Sequence, residues 1–182
     1  LVYPVYQSTY ERQIDQHGPN DRRDVMIQIG KDLRRTIDFL ETREDIDSDR
    51  LAFYGLSWGG YIGPLLTAIE PRFDASVLVA GGMYRLPDDW PPAAVPQNFA
   101  PRSTLPTLMI NGRADFRAPV ETNIQPMFDM LGTPDEHKRL ALLDGGHVPA
   151  SPNEVIREVL NWLDLYLGSV GTGARTTTTS EN

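Results

Sequence analysis

The chain has 182 residues, of which 40% are apolar and 23% charged, and this composition is typical of one globular domain. Its net charge is −8 and it has no basic cluster longer than two residues, which excludes nucleic acid as a favourable partner because a phosphate backbone would be repelled. It has no cysteine, which excludes disulfides and thiolate metal sites, and its three histidines lack metal-ligand spacing, so we expect no metal and no cofactor.

The same sequence gives no sign of a membrane protein. No apolar stretch approaches the roughly 20 residues that a membrane-spanning helix needs. The first residues carry neither a basic leader nor a cleavage site of the kind that marks a signal peptide. We therefore expect a soluble protein with no membrane partner, located in the cytoplasm rather than secreted.

Apolar periodicity divides the chain into alternating strands and helices. In chain order, strands are predicted at Leu1–Tyr6, Leu51–Tyr54, Ala75–Ala80, Thr107–Asn111 and Arg139–Leu143. Amphipathic helices are predicted from Asp24 to Leu40, from Tyr61 to Glu70, from Val120 to Leu131 and from Val155 to Leu167. Short apolar strands that alternate with such helices indicate an α/β fold, with a mostly parallel sheet of about five strands and helices on both faces.

Two segments fall outside this alternation. Residues 83–106 carry six prolines together with Trp90 and Phe99, and we interpret them as an excursion over the edge of the sheet that forms a lid or a substrate wall. Residues 169–182 have no apolar periodicity and are predicted to be a flexible tail. The predicted domain therefore covers residues 1–168.

A serine stands between glycines where a predicted strand meets a predicted helix, in the sequence YGLSWGGY (Tyr54–Tyr61). A strand that runs into G-x-S-x-G and continues as a helix is the arrangement called a nucleophile elbow. We expect Gly55 and Gly59 there because the turn is so tight that side chains two positions on either side of Ser57 would collide.

A serine is a poor nucleophile until a base takes its proton, and that base needs a third group to orient it. Asp115 and His147 each follow the carboxyl end of a predicted strand, downstream of Ser57 and in the order serine, acid, histidine. Carboxyl ends of parallel strands share one edge of a sheet. The sequence therefore predicts that these three side chains converge there.

Alternative roles remain open for these and other residues. Asp144 and Glu121 are rival acids, although Asp144 is so close in sequence to His147 that we expect it to shape the turn instead. His17 and His137 lie in polar or charged stretches and are weaker candidates for the base. The aromatic residues Trp90, Phe99 and Phe116 are candidates for lining a substrate pocket, with a place in the core as their alternative.

Three segments, YGLSWGGYIGPLL, LPTLMINGRADFRAPVE and LLDGGHVP, carry a resemblance to a known family. Together they resemble the catalytic half of an α/β-hydrolase of the kind related to dienelactone hydrolases and prolyl-oligopeptidase-like esterases, and they are similar to hydrolase modules of bacterial protein-kinase fusions. The resemblance implies Ser57 as the nucleophile, His147 as the base and then the acid, and Asp115 as the residue that orients it. It also implies the backbone N–H of Trp58 as an oxyanion donor.

On this resemblance we expect a serine hydrolase that acts on a small-molecule carboxylic ester through an acyl-enzyme. Two alternatives stay open. One is a serine peptidase of the prolyl-oligopeptidase kind, because the same motif serves both activities. The other is a non-catalytic interaction module, in which the triad of Ser57, His147 and Asp115 is kept in the sequence but no longer catalyses a reaction.

The sequence departs from the family at its amino-terminal end. A complete domain has about three more strands before Leu1–Tyr6, and the loop after the third supplies a second oxyanion donor. The loss of that strand would leave a gap inside the family's sheet. We therefore expect a truncated α/β-hydrolase fold in which the chain is a fragment, the strands close up, or another copy pairs with the exposed edge as a homo-oligomer. A substitute donor is expected from Gln7–Tyr10 or from a partner chain.

Overall fold

Four parallel strands form one continuous sheet. The computed structural model describes residues 1–13, 18–84, 86 and 90–169. The strands are β1 (Ala52–Leu56), β2 (Ala75–Val79), β3 (Thr107–Gly112) and β4 (Lys138–Leu143), and they lie in the order β1-β2-β3-β4. Every residue of β2 and β3 is buried, as expected for central strands of a parallel sheet that is covered on both faces.

Helices cover both faces of this sheet. They are α1 (Pro19–Leu40), α2 (Trp58–Ile69), α3 (Gln125–Met130), which follows a π-helical turn at Val120–Ile124, and α4 (Pro152–Leu167). The first three helices pack on the face that carries Phe53, Leu78 and Met109, and α4 packs on the face that carries Val79 and Ile110. The predicted α/β architecture is therefore confirmed.

The amino-terminal segment is not a strand, so the prediction at Leu1–Tyr6 is wrong, and the described sheet has four strands where about five were expected. Its first three side chains are exposed, and Pro4 has no N–H to contribute to a ladder. The chain contacts α1 just beyond this segment, where Asp32 accepts a hydrogen bond from the Gln7 N–H at 2.8 Å and pairs with Arg12 at 2.9 Å.

The expected gap inside the sheet is also absent, because β1 lies at one edge and pairs directly with β2. The Ser57 N–H, just after β1, donates to the Val79 carbonyl at 2.8 Å. The N–H and C=O groups of successive residues in a strand point to opposite sides of it. Because the N–H of Ser57 points toward β2, the N–H and C=O groups of Ala52, Tyr54 and Leu56 point away from β2. No other strand pairs with that edge among the described residues.

The described part of the excursion packs against the helices. Beyond Trp90 it forms two 3₁₀ turns, Pro92–Ala94 and Pro96–Arg102, in which Ala94 and Ala100 are fully buried. The lid or wall predicted at 83–106 is thus described only in part, since residues 85 and 87–89 lie outside the described residues. Residues 170–182 of the predicted tail and His17 lie outside them as well.

Arg72 forms hydrogen bonds that connect α1 to the residue at the end of α2. Its guanidinium contacts Glu70 at 2.8 Å, Asp38 at 2.8 Å and Glu41 at 3.1 Å. Glu70 is buried, and the hydrogen bonds from Arg72 hold the pKa of its carboxyl below the usual range. A carboxyl with a lowered pKa stabilises the fold near neutral pH, and that contribution is lost as the pH falls through the lowered pKa.

No helix within the described ranges combines the length and apolar character that crossing a bilayer requires.

Candidate active site

The loops after β1, β3 and β4 bring Ser57, Asp115 and His147 into one hydrogen-bonded row. The Ser57 Oγ lies 2.8 Å from His147 Nε2, and His147 Nδ1 lies 3.0 Å from Asp115 Oδ2. If Nδ1 carries the ring proton, it donates to the carboxylate, and Nε2 is free to accept the hydroxyl proton. The row joins positions 90 and 32 residues apart in the chain, and they are the three that the motifs singled out.

Ser57 occupies a strained backbone conformation at the turn from β1 into α2. Its φ of 53° and ψ of −105° are disfavoured for any residue with a side chain. The conformation is held from both sides, because the Ser57 N–H donates to the Val79 carbonyl and the Ser57 carbonyl accepts from the Tyr61 N–H at 2.9 Å. A strained serine on a sharp strand-to-helix turn presents its hydroxyl at the rim of the sheet.

The glycines of this turn have different roles. A Cβ on Gly55 would lie inside contact distance of the Gly59 carbonyl, as the sequence predicts. A Cβ on Gly59 would meet nothing within 4 Å, so the predicted collision at Gly59 is wrong. The second steric requirement falls on Gly60, where a Cβ would lie 2.7 Å from the Val79 carbonyl oxygen of the neighbouring strand.

Backbone N–H groups orient the carboxylate of Asp115. Its Oδ1 accepts from the Arg117 N–H at 2.8 Å and from the Ala118 N–H at 3.1 Å, which leaves Oδ2 for His147. The Asp115 side chain is fully buried. A buried carboxylate needs such partners, because an unpaired charge in this position would be costly.

The rival residues make other contacts in the described part of the chain. The Asp144 carboxylate is almost fully exposed and lies 3.7 Å from Arg113, while its backbone carbonyl accepts from the Ala150 N–H at 2.8 Å, so Asp144 shapes the turn. Glu121 is exposed on the π-helical turn. His137 lies before β4, at the opposite end of that strand from the site.

The loop after β3 is joined to the loop after β4, and this brings the acid next to the imidazole. The Ala114 N–H donates to the Gly145 carbonyl at 2.9 Å. Gly112 packs so closely against the second loop that a Cβ there would overlap the Gly146 carbonyl, and Gly145 has a φ of 134°. The role of these glycines was not predicted from the sequence, although glycine at the end of two apolar strands was the available signal.

Trp58 is the first residue of α2, a position whose N–H has no acceptor within the helix. This N–H belongs to the residue directly after Ser57 and lies at the positive end of the helix. A second oxyanion donor was expected from the loop Gln7–Tyr10. The N–H groups of its first three residues already donate to other acceptors, so they are not free to bind an oxyanion.

Three aromatic rings contact one another in a row that begins at the residue after the serine. Trp58 is 49% exposed, and its ring centroid lies 5.3 Å from that of Tyr61. Tyr61 is fully buried, lies 5.1 Å from the Tyr84 ring and donates its hydroxyl proton to Gln97 Oε1 at 3.2 Å. Sequence reasoning missed Tyr61 and Tyr84, and the helical spacing from Trp58 to Tyr61 was the available signal.

The aromatic residues predicted to line a substrate pocket are dispersed. Phe116 lies at the rim, immediately after Asp115, and is 77% exposed. Phe99 lines a cavity of about 330 Å³ between α1 and α2, together with Ile69 at the end of α2 farthest from the serine. Trp90 packs against the core on the α1 side.

No group of three or more acidic or histidine side chains is placed to hold a metal ion in the ranges that the structure describes.

Curated proteins that are similar to this chain in sequence include two ester hydrolases, whereas no protein-family model matches it. Bis(hydroxyethyl) terephthalate hydrolase of Streptomyces coelicolor is 26% identical over 144 residues, which cover 76% of this chain and 43% of that protein. Cutinase 1 of Thermobifida cellulosilytica is 30% identical over 127 residues, which cover 69% of this chain and 44% of that protein. The chain therefore spans less than half the length of either relative.

Solved structures are similar over most of the chain. A Klebsiella pneumoniae protein described as a dienelactone hydrolase has a TM-score of 0.65 at 22% identity, covering 78% of this chain and 62% of its own. A cold-adapted esterase from an Arctic intertidal metagenomic library has a TM-score of 0.64 at 23% identity, with 82% and 63% covered. Acetyl xylan esterase from Paenibacillus sp. R4 has a TM-score of 0.64 at 20% identity, with 79% and 54% covered. Such likeness at low identity establishes a common fold.

Proposed function

This chain has the α/β-hydrolase fold, and from that premise we propose that it is a serine hydrolase of small carboxylic esters. One observation carries the proposal: the unbroken row from the Ser57 hydroxyl through His147 to Asp115, with separations of 2.8 and 3.0 Å. The names of the two sequence relatives, a terephthalate-ester hydrolase and a cutinase, support the same chemistry.

The row supports a two-step acyl transfer. The Ser57 Oγ attacks the ester carbonyl while His147 Nε2 takes the hydroxyl proton, and the oxyanion that forms is stabilised by the Trp58 N–H. His147 then gives the proton to the leaving alcohol, which leaves an acyl group on the serine. Water, deprotonated by the same imidazole, attacks this acyl-enzyme and releases the carboxylic acid, and His147 returns the proton to Ser57.

Asp115 contributes without exchanging a proton. Its Oδ2 holds the Nδ1–H tautomer of His147, which leaves Nε2 unprotonated and directed at the serine. As the imidazole becomes a cation during attack, the buried carboxylate stabilises that charge. The two backbone N–H groups on Oδ1 keep the carboxylate in this orientation.

Peptidase activity is the runner-up, because the same row of side chains can cleave an amide. Hydrolysis of a 4-nitrophenyl ester without hydrolysis of a proline 4-nitroanilide supports the esterase. A non-catalytic module with a relic triad is the remaining alternative. It predicts a folded protein with no turnover and no reaction with a serine-directed inhibitor.

The test of the main proposal is the intact mass of the chain after treatment with a fluorophosphonate. We expect one adduct per chain in the wild type and in Ser48→Ala, a control that removes a hydroxyl from a surface turn. We expect none in Ser57→Ala. A folded wild type that stays unmodified, or labelling that persists in Ser57→Ala, contradicts the proposal.

We further propose that the unpaired edge of β1 associates with a second copy of the chain. The strand sequence AFYGL has no charged residue or proline that would discourage pairing. Tyr54 and Leu56 are 46% and 47% exposed on the face that α4 covers farther along the sheet. An apolar side-chain row next to free backbone groups favours association through this edge.

A further inference from the structure

Asn111 is a fully buried polar residue near the carboxyl end of β3. Because the Gly81 carbonyl can only accept, the Nδ2 of the Asn111 amide faces it and donates a hydrogen bond of 2.6 Å. The other amide atom, Oδ1, is buried and accepts from no protein group within the described residues. A buried acceptor without a protein partner costs stability, so the contribution of this amide lies in its donation to Gly81.

The segment that receives this hydrogen bond packs directly against the turn that carries Ser57. A Cβ on Gly60 would lie 3.0 Å from Gly81 Cα, and a Cβ on Gly81 would lie 2.8 Å from the Gly60 carbonyl oxygen. Two residues before Gly81, the Val79 carbonyl accepts from the Ser57 N–H at 2.8 Å. The backbone of residues 79–81 therefore supports the strained serine from the side of β2.

This supporting segment is itself strained at Ala80. Its φ of 53° lies in the left-handed region, which a residue with a side chain rarely adopts. The Ala80 N–H donates to the Ile110 carbonyl at 2.8 Å, and the Ala80 carbonyl accepts from the Tyr84 hydroxyl at 3.3 Å. A strained conformation persists only where its surroundings hold it, and the hydrogen bond from Asn111 holds the next residue, Gly81.

Asn111 also belongs to the strand that leads to the acid. The carbonyl of Gly112, the next residue, accepts from the Asp115 N–H at 3.2 Å. The Arg113 N–H donates at 2.8 Å to the carbonyl of Leu143, at the end of the strand that leads to the base. The Asn111 side chain therefore connects the strands that place the acid and the base to the backbone that supports the nucleophile.

We propose that Asn111 is a positioning residue for ester hydrolysis. It holds residues 79–81 against the nucleophile turn, and in this way it maintains the separation of 2.8 Å between Ser57 Oγ and His147 Nε2. Asn111 acts through the backbone and does not touch the substrate. Because attack depends on that separation, a displacement of about 1 Å can lower the rate about 10²-fold. This inference rests on the proposed function, because it concerns the geometry of the same site.

The experiment compares two substitutions in β3 that keep the approximate shape of the side chain and remove its hydrogen bonds. Asn111→Leu leaves the Gly81 carbonyl without this donor. Thr107→Val is the matched control, because Thr107 is fully buried at the opposite end of the same strand and its hydroxyl lies 2.7 Å from that of Ser76. Both variants should lower the urea midpoint of unfolding, since each removes a buried hydrogen bond.

The rate of ester hydrolysis separates positioning from stability. With 4-nitrophenyl butyrate as the substrate, we expect kcat to fall about tenfold to hundredfold in Asn111→Leu, while KM stays within about twofold. Thr107→Val should keep both constants within about twofold of the wild type, because its hydrogen bond lies away from the site. A kcat in Asn111→Leu above about a tenth of the wild-type value, or an equal fall in Thr107→Val, would overturn the proposal.

Asn111→Asp provides a second test, which remains decisive if the leucine variant does not fold. A protonated carboxyl can donate to the Gly81 carbonyl as the amide does, whereas a carboxylate cannot. Burial raises the pKa of such a carboxyl, so the ratio of kcat in Asn111→Asp to kcat in the wild type should rise as the pH is lowered from about 9 to about 6. A ratio that is constant or that falls over this range contradicts the positioning role.

The two proposals fail in different ways. If the wild type hydrolyses no ester, the proposed function fails, and positioning is then measured by hydrogen exchange at the Ser57 N–H, followed by NMR. The Val79 carbonyl protects this N–H, and we expect its exchange to be on the order of tenfold faster in Asn111→Leu than in Thr107→Val. Equal exchange in the two variants, or an unprotected Ser57 N–H in the wild type, overturns the positioning role.

Discussion

Asp115 and Asp144 each follow a strand that ends at the rim of the sheet, and what separates them is the environment of the carboxylate. Asp115 is buried, accepts two backbone N–H groups and contacts His147 Nδ1 at 3.0 Å. Asp144 is almost fully exposed and interacts with Arg113 at 3.7 Å. A charge orients an imidazole effectively only where water does not screen it and its own direction is fixed.

We therefore expect Asp115→Asn and Asp144→Asn to differ in their effect on ester hydrolysis. An amide at position 115 cannot hold the Nδ1–H tautomer or stabilise the imidazolium, so kcat should fall about 10³- to 10⁴-fold. Asp144→Asn should leave kcat within about twofold, because an exposed ion pair contributes little. Steady-state kinetics of both variants, with circular dichroism to verify folding, measures the difference. A loss of similar size in Asp144→Asn would contradict the assignment of the acid.

The candidate site could be found from the sequence because each of its three residues follows the end of an apolar strand within four residues. Their order along the chain and the shared edge of a parallel sheet are properties of pattern, and the pattern is visible in the residues. The contact between the Tyr61 and Tyr84 rings could not be found in this way. It depends on how separate elements pack against each other, and local periodicity carries no information about that packing.

At the level of elements, the turn from β1 into α2 is sterically constrained at two of its glycines. Gly55 lies against the Gly59 carbonyl, and Gly60 lies against the carbonyl of Val79 in the next strand. The sequence motif marks Gly55 and Gly59 alike, but the steric demand depends on the path of the neighbouring backbone. For that reason the motif identified the turn correctly and one of its two glycines incorrectly.

Alanine substitutions at these glycines should separate the two cases. Gly55→Ala forces a Cβ against a carbonyl oxygen that cannot move freely, and it should lower the free energy of unfolding by about 1–3 kcal/mol. Gly59→Ala, in the first turn of α2, should be neutral or slightly stabilising, because alanine favours a helix. Urea unfolding of the two variants measures both free energies. A destabilisation by Gly59→Ala as large as that by Gly55→Ala would contradict this account of the turn.

Most of the secondary structure was also predictable, and the one wrong strand shows the limit. The four strands and the longer helices were identified because their apolar periodicity reflects burial on one or both faces. Leu1–Tyr6 has the apolar character of a strand, but a strand also needs a neighbour to pair with. Pairing is a long-range property, and no strand among the described residues pairs with this segment; the residues that follow it, Gln7 and Arg12, are bonded to Asp32 of α1.

At the level of the whole molecule, the central strands of the sheet are buried from solvent, whereas the edge strand β1 is partly exposed. The central strands β2 and β3 are buried throughout, and α4 covers the face that carries Val79 and Ile110. On the same face, toward the edge at β1, Tyr54 and Leu56 remain about half exposed beside backbone groups that have no partner strand among the described residues. Natural sheets usually protect such an edge with charge, proline or a covering segment.

We therefore expect the 182-residue chain to self-associate through β1, and this can be tested with two charges placed on the edge. Lysines in the double variant Tyr54→Lys with Leu56→Lys would face each other across a symmetric pairing, and their repulsion and hydration should favour the monomer. Phe39→Lys is the control, because Phe39 is an exposed aromatic residue on α1, away from the edge. Light scattering coupled to size-exclusion chromatography, over a wide range of protein concentration, should give a dimer mass for the wild type and the control and a monomer mass for the double variant. A wild type that is monomeric at every concentration, or a double variant that keeps the dimer mass, would show that β1 does not mediate association between copies.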